Sequence, residues 1–221
     1  MTHKNIKNII FDYGNVIINL DINATYNAFH QLGALDFASD WDKIMANKLF
    51  YLFERGDISV PDFRKELKMS FPHPVTDTQL DWAWNVLLKD MPEKRISLLK
   101  NIHSIYRTFI LSNSNKIHYD YYVNDLKTQY QLSDFDQLVE KAYFSFHVNL
   151  IKPEPEFYQL LLSNHDLIPE ETLFIDDLKK NIEAASQLGI NTLWLTPEID
   201  ICDLFDENNQ INDLCFQKMN K

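Results

Sequence analysis

The stretch "IIFDYGNVIINLD", residues 9–21, decides the reading of this chain. A short apolar run ends on Asp12, and Gly14 stands two residues later, where a second carboxylate would be useful. The same grammar returns in "RTFILS" (107–112), "KAYFSF" (141–146), "TLFIDD" (172–177) and "NTLWLT" (191–196), alongside "KNIIFD" (7–12). Hydrophobicity in these runs is continuous and not alternating, which predicts strands buried on both faces, as in a parallel sheet. Between the runs lie helical patterns such as "EKRISLLKNIHSIY", "PEFYQLLLSNHDL" and "KNIEAASQLG", the last with Gly189 as a helix end. Alternating strand and helix predict a doubly wound α/β fold.

Residues 21–92 break this rhythm. They contain no convincing strand and carry three of the four tryptophans, Trp41, Trp82 and Trp84. Within them, "FERGDISVPDF" reads as a helix end at Gly56 and a helix start at Ser59, with Asp62 in an acidic first turn. The chain therefore divides into an α/β core of residues 1–20 and 93–221 and a helical insert, a small cap, of residues 21–92. A length of 221 residues suits one domain carrying such an insert, and 45% hydrophobic against 24% charged residues argues against disorder. The net charge of −11 speaks against a basic groove for nucleic acid. No stretch reaches the ~20 apolar residues of a membrane helix, and the first residues lack a signal-peptide pattern, so a cytoplasmic protein is expected. Cys202 and Cys215 fit no zinc spacing and are read as free thiols.

Ligands of open parallel sheets bind beyond the carboxyl ends of the strands. The first, second and fourth runs close on Asp12, on Ser112 in "LSNSN", and on the pair Asp176–Asp177, and the third is followed by Lys152 in "LIKPEP". Each has a plain structural use. Asp12 opens a turn equally well, and Ser112, Asn113 or Ser114 would serve as cap of the helix near Lys116. Lys152 would be a solvated lysine, and Asp177 a cap of "LKKNIEAASQLG". Together they say more. Three carboxylates crowding one sheet edge raise one another's pKa, and a hard divalent cation relieves the repulsion. A few oxygen ligands with room for water suit Mg²⁺. A lysine and a hydroxyl beside them would hold the oxygens of a phosphoryl group.

With these motifs in order, the chain resembles the haloacid dehalogenase superfamily, in its phosphatase branch with a helical cap after the first motif. "FDYGNV", "FILSN", "IKPEPEFY" and "LFIDDLKKNIEAASQLG" are similar to its four motifs. The resemblance implies that Asp12 is the nucleophile, forming an aspartyl-phosphate. It also implies that the Gly14 carbonyl, Asp12 and Asp177 bind Mg²⁺, with Asp176 as a further ligand or holding a metal-bound water. Ser112 and the Asn113 backbone would bind phosphoryl oxygens, and Lys152 would neutralise charge between nucleophile and phosphate. The implied substrate is a small phosphorylated metabolite.

Gly14 departs from the family pattern, which usually has an aspartate there as acid for the leaving group and base for water. Such help is typically worth ~10²–10⁴-fold. A subset resembling sugar-1-phosphate phosphatases also reads Asp-x-Gly-Asn-Val, so the pattern is compatible with activity on a sugar phosphate. The missing acid predicts that basic leaving groups react slowly, and the glycine predicts extra room for substrate. The superfamily's dehalogenases also lack the second aspartate but do without metal, so Asp176–Asp177 favours the phosphatase. A silent binding fold is disfavoured by the intact Asp12, Ser112, Lys152 and Asp177. Trp41, Arg55, Trp82 and Trp84 are the candidates for lining the cap side of the site, although each also has the plainer reading of an aromatic packing a small helical bundle or an arginine on its surface.

Overall fold

Five short strands form one all-parallel sheet in the order β3-β2-β1-β4-β5: β1 Asn8–Phe11, β2 Arg107–Ser112, β3 Lys141–Phe144, β4 Thr172–Asp176 and β5 Asn191–Trp194. The computed structural model describes residues 5–34 and 46–220. Successive residues of a strand face opposite ways, and here both sets are apolar. Ile9, Phe11, Ile110, Leu173 and Ile175 enter one hydrophobic cluster, whereas Ile10, Phe109, Leu111 and Phe174 enter another. This is why the runs are continuous in the sequence. Helices α5 (Glu93–Ile102) and α6 (Lys116–Gln129) contribute Leu99, Ile102, Tyr122 and Leu126 to the first cluster. Helices α8 (Pro155–Asn164) and α9 (Lys179–Gln187) contribute Phe157, Leu161, Ile182 and Ala185 to the second.

The chain lays β1, β2 and β3 in one direction and then returns to add β4 and β5 on the other side of β1. The switch of direction falls between β1 and β4, whose register pairs Phe11 with Ile175. The residues just beyond that pair, Asp12 and Asp176, therefore open side by side into the crevice where such folds bind ligands.

Between β1 and α5 the described chain forms four helices and no strand: α1 (Ile22–Gln31), α2 (Lys48–Arg55), α3 (Val60–Lys68) and α4 (Asp77–Asn85). They bury a core of their own, with Phe29, Phe50, Phe53, Phe63, Leu80 and Trp84. The turn chemistry is that of the sequence. Gly56 ends α2 with φ +83°, a conformation that favours glycine, and the Ser59 hydroxyl accepts from Asp62 N at 3.3 Å to cap α3. The stretches of chain entering and leaving this segment are clipped together, Asp21 N donating to Leu87 O at 2.8 Å.

The helical segment is tied to the sheet layer through polar contacts. Tyr51 OH donates to Glu154 at 2.7 Å and Arg55 Nε to Asn149 O at 3.1 Å. The Ser145 hydroxyl, at the start of the short helix α7 (Ser145–Val148), donates to Glu54 O at 2.5 Å. Among the described residues no helix is long and apolar enough to cross a membrane. Both cysteines are free thiols, Cys215 buried and Cys202 half-buried.

Candidate active site

Lys152 is the hub of the crevice. Its side chain is 1% exposed, and its ammonium donates to Asp12 Oδ1 and to Asp176 Oδ2, each at 2.7 Å. The loop that carries it is clamped from the end of β2. Asn113 accepts from Lys152 N at 2.8 Å and donates to Lys152 O at 2.9 Å. The sequence reading placed only the backbone of Asn113 at the site, so this positioning by its side chain was not foreseen.

The three carboxylates come together as well. One oxygen each from Asp12, Asp176 and Asp177 lie within 4.8 Å of one another, the one such acidic group among the described residues. Their surroundings differ. Asp176 is fully buried and saturated: beyond Lys152, it accepts from Asn181 Nδ2 on both oxygens and from Leu178 N at 2.7 Å. Asp177 accepts from Asn15 Nδ2 at 2.9 Å. Burial, opposed by Lys152 and reinforced by the other two carboxylates, holds Asp12 above the usual carboxylate range. Burial and Asp176 push Asp177 up to about 6. Lys152 is held above its ordinary value: burial works against its charge, but Asp12 and Asp176 outweigh it. Excess negative charge in a buried oxygen-rich set is a feature that suits a hard divalent cation.

A cavity of about 110 Å³ opens over this cluster, lined by Asp12, Gly14, Ser112, Asn113, Lys152 and Asp177 of the sheet layer. From the helical segment and its edges it is lined by Leu20, Ile22, Glu54 and Leu87, and from α6 by His118 and Tyr122. A larger groove of about 770 Å³ lies at the amino ends of the strands, beside Lys7, Tyr106 and Phe216. It holds none of the three clustered carboxylates, so the smaller cavity is the chemical one.

Several expectations need correction. Trp84 is fully buried in the helical core, its ring stacked on His118 at 4.8 Å, and Trp82 is 48% exposed on the surface. Arg55 is engaged with Asp57, Glu154 and Asn149. None of the three lines the cavity. Trp41 lies outside the described residues. The helix near Lys116 is capped by Asn115, which accepts from His118 N at 3.0 Å, and not by Ser112, Asn113 or Ser114. Nor does Asp177 cap α9: the nearby backbone N–H of Leu178 goes to Asp176. The extra room expected beside Gly14 is reduced by Leu20, whose Cδ1 stands 2.7 Å from where a Cβ would be. The residues missed by sequence reasoning are Asn15, Glu54, His118 and Tyr122, while Asn181 lies within the quoted "LFIDDLKKNIEAASQLG". Asn15 sits within the quoted opening stretch, and its φ of +54° is the sort of position asparagine tolerates, but nothing local names its partner 162 residues away.

The model of the haloacid dehalogenase-like hydrolase family matches residues 85–195. A solved structure of an HAD family enzyme from Bacteroides thetaiotaomicron, in complex with magnesium and inorganic phosphate, is 31% identical. It superposes with a TM-score of 0.82 over 91% of this chain and all of that one. A predicted HAD-like family hydrolase from Porphyromonas gingivalis is 28% identical, with a TM-score of 0.75 over 87% of this chain and 92% of the other. The D-ribitol-5-phosphate phosphatase of Bacteroides thetaiotaomicron is 28% identical over 187 residues, 85% of this chain and 90% of its own length. The fold and the sheet-edge carboxylates define a hydrolase of the α/β class. The chain belongs to the haloacid dehalogenase-like hydrolase family.

Proposed function

We propose that this hydrolase is an Mg²⁺-dependent phosphatase of small phosphate monoesters, with sugar or sugar-alcohol phosphates as the substrate class. The observation that carries the reading is the convergence of Asp12, Asp176 and Asp177 around a buried Lys152 at the switch point of the sheet. A dehalogenase of this family has no use for the third carboxylate. The D-ribitol-5-phosphate phosphatase and the magnesium–phosphate complex among the relatives support the same class. So does the cavity, about 110 Å³ against the ~300–1,000 Å³ typical of drug-sized ligands. That space suits a phosphoryl group on a short polar carbon chain.

In this reading Asp12 and Asp177, with the Gly14 carbonyl, hold the cation. Asp176, whose oxygens are taken by Lys152, Asn181 and Leu178 N, orients Lys152 and shapes the charge around it. When bound, Mg²⁺ supplies neutralisation of the phosphoryl charge as the nucleophile approaches. Asp12 attacks phosphorus through a carboxylate oxygen and the P–O bond to the alcohol breaks, leaving an aspartyl-phosphate. Lys152 offsets the negative charge shared by nucleophile and phosphoryl oxygens, and the Ser112 hydroxyl, buried at the end of β2, orients one of those oxygens. Residues 21–92 act as a cap on the core of residues 1–20 and 93–221, excluding water and selecting the alcohol portion.

A panel of phosphate monoesters with Mg²⁺, run beside Asp12→Asn and beside excess chelator, tests the reading. Turnover that disappears in both controls and returns on adding Mg²⁺ to the chelated enzyme is the expected result. Full activity in chelator, or halide release from 2-haloacids, would overturn it.

A further inference from the structure

Resting on the phosphatase reading, we propose that Glu54 of α2 is the catalytic acid and base that the Gly14 position lacks. The first support is steric. Residue 14 offers no carboxylate, and Leu20 Cδ1 packs 2.7 Å from where a Cβ would stand, so a side chain there would have to displace Leu20 first. A proton donor supplied by the protein then has to be another residue lining the cavity. The acidic residues on that lining are Asp12, Asp177 and Glu54, and the first two belong to the cation cluster.

The second support is the hydrogen-bond geometry of Glu54 itself. The residue is 1% exposed, and its Oε2 is buried without a hydrogen-bond partner. Its other oxygen, Oε1, accepts from Asn115 Nδ2 at 2.9 Å. That amide is fixed in turn. Asn115 Nδ2 lies 3.0 Å from His118 Nδ1, and His118 Nε2 lies 3.0 Å from the Trp84 carbonyl. A carbonyl only accepts, so Nε2 carries the ring proton and Nδ1 accepts from Asn115. Both amide hydrogens are then spoken for, one on His118 and one on Glu54 Oε1. Oε1 is the acceptor oxygen of the carboxyl group and Oε2 the one left to carry a proton. A buried, unpaired carboxyl oxygen is costly unless it is protonated or meets a ligand.

The surroundings tune this group for the task. Burial pushes Glu54 up to about 7, against the hydrogen bond from Asn115 and the charge of Lys152. Of the other groups facing it, His118 is held neutral by burial, down at about 4, and Tyr122 is raised by burial and stays un-ionised. Arg55, its neighbour on α2, is turned toward Asp57 and Glu154, and Asp12 lies across the cavity. An acid titrating near neutrality gives the best compromise between holding a proton and releasing it.

The chemistry balances. As Asp12 attacks phosphorus and the P–O bond to the alcohol breaks, the departing oxygen takes the proton of Glu54 and leaves as neutral alcohol. Glu54, now a carboxylate, removes a proton from the water that attacks the phosphorus of the aspartyl-phosphate. The P–O bond to Asp12 breaks, phosphate leaves, and both Asp12 and Glu54 return to their starting states.

The test compares wild type with Glu54→Gln and Glu54→Asp on two esters: a primary alkyl or polyol phosphate that the wild type hydrolyses, and p-nitrophenyl phosphate. The aryl oxygen leaves without a proton, so its kcat/KM is expected to stay within about tenfold in Glu54→Gln, while the alkyl value falls by ~10²–10⁴-fold. Glu54→Asp is expected to recover part of the alkyl activity, and the alkaline fall of kcat/KM seen for the alkyl ester in wild type should vanish in Glu54→Gln. Equal losses on both esters, or none on either, would overturn the role of Glu54 while leaving the phosphatase reading intact. Wild-type inertness toward every ester would overturn both. If Glu54→Gln does not fold, wild type alone decides. A shallow dependence of kcat/KM on leaving-group pKa supports Glu54, and a steep one overturns it.

Discussion

Replacing Lys152 by methionine removes a buried charge and keeps most of the side-chain volume. The ammonium is 1% exposed and lies 2.7 Å from oxygens of both Asp12 and Asp176, whose side chains are 11% and 0% exposed. Removing one partner of such a buried set costs about 3–5 kcal/mol. For a chain of this size, roughly 2–4 °C per kcal/mol converts this into a fall in Tm of about 6–20 °C. The sign with pH follows from Asp12, which folding already holds above its ordinary 3.8. A carboxyl raised in the folded state contributes its full stability below the unfolded pKa, and that contribution is lost as pH rises through the folded pKa. Without Lys152 this carboxyl is raised further. The deficit of the variant against wild type should therefore be largest near about pH 8 and shrink toward about pH 4–5, as the stranded carboxylates take up protons. Thermal melts of both proteins in chelator, across that range, measure it. A deficit that is absent at alkaline pH, or that grows as the pH falls, would refute the claim that Lys152 is the counter-charge of this cluster.

Asn15→Ala removes the bond to Asp177 at 2.9 Å and should weaken the Mg²⁺ dependence of turnover by about 10–100-fold, read from activity titrated against free Mg²⁺. An unchanged activation constant would remove Asn15 from the account. Gly56→Ala faces both a φ of +83° and a direct clash of its Cβ with the backbone of Phe146, so a loss above about 1 kcal/mol is expected. A melt matching wild type would show that α2 does not lie against α7 as described.

Much of this architecture was legible in the sequence because the sheet is buried on both faces. Each strand then writes a continuous apolar run, and each run ends where the chain leaves the core and can afford a polar residue. Thus Asp12, Ser112 and Asp176 mark strand ends almost to the residue. Lys152 was harder to place, because it follows both β3 and a short helix, and its backbone is held by the Asn113 side chain while its ammonium is held by Asp12 and Asp176. In the helical segment the plainer reading of the aromatic residues holds. Aromatic residues in a small helical unit are first needed for its core, and Trp84 with Phe50 and Phe63 supplies it. Glu54, at the end of "KLFYLFER", looks like an exposed helix-terminal charge. Its burial depends on Asn115 and Ser145, which lie 61 and 91 residues further along the chain. The approach of Leu20 to Gly14 belongs to the turn between them, in which Asn15 accepts from Leu20 N at 3.1 Å.

The covalent role of Asp12 is the claim on which the rest depends, and acid quenching tests it directly. Enzyme with Mg²⁺ is mixed with a phosphate ester that it turns over, stopped in acid within a single turnover, digested and mapped by mass spectrometry. A phosphoryl group is expected on the peptide containing Asp12, appearing before free phosphate accumulates, with neither label nor turnover in Asp12→Asn. Steady turnover of the ester by Asp12→Asn, or a phosphoryl group found on another residue of the wild type, would contradict it.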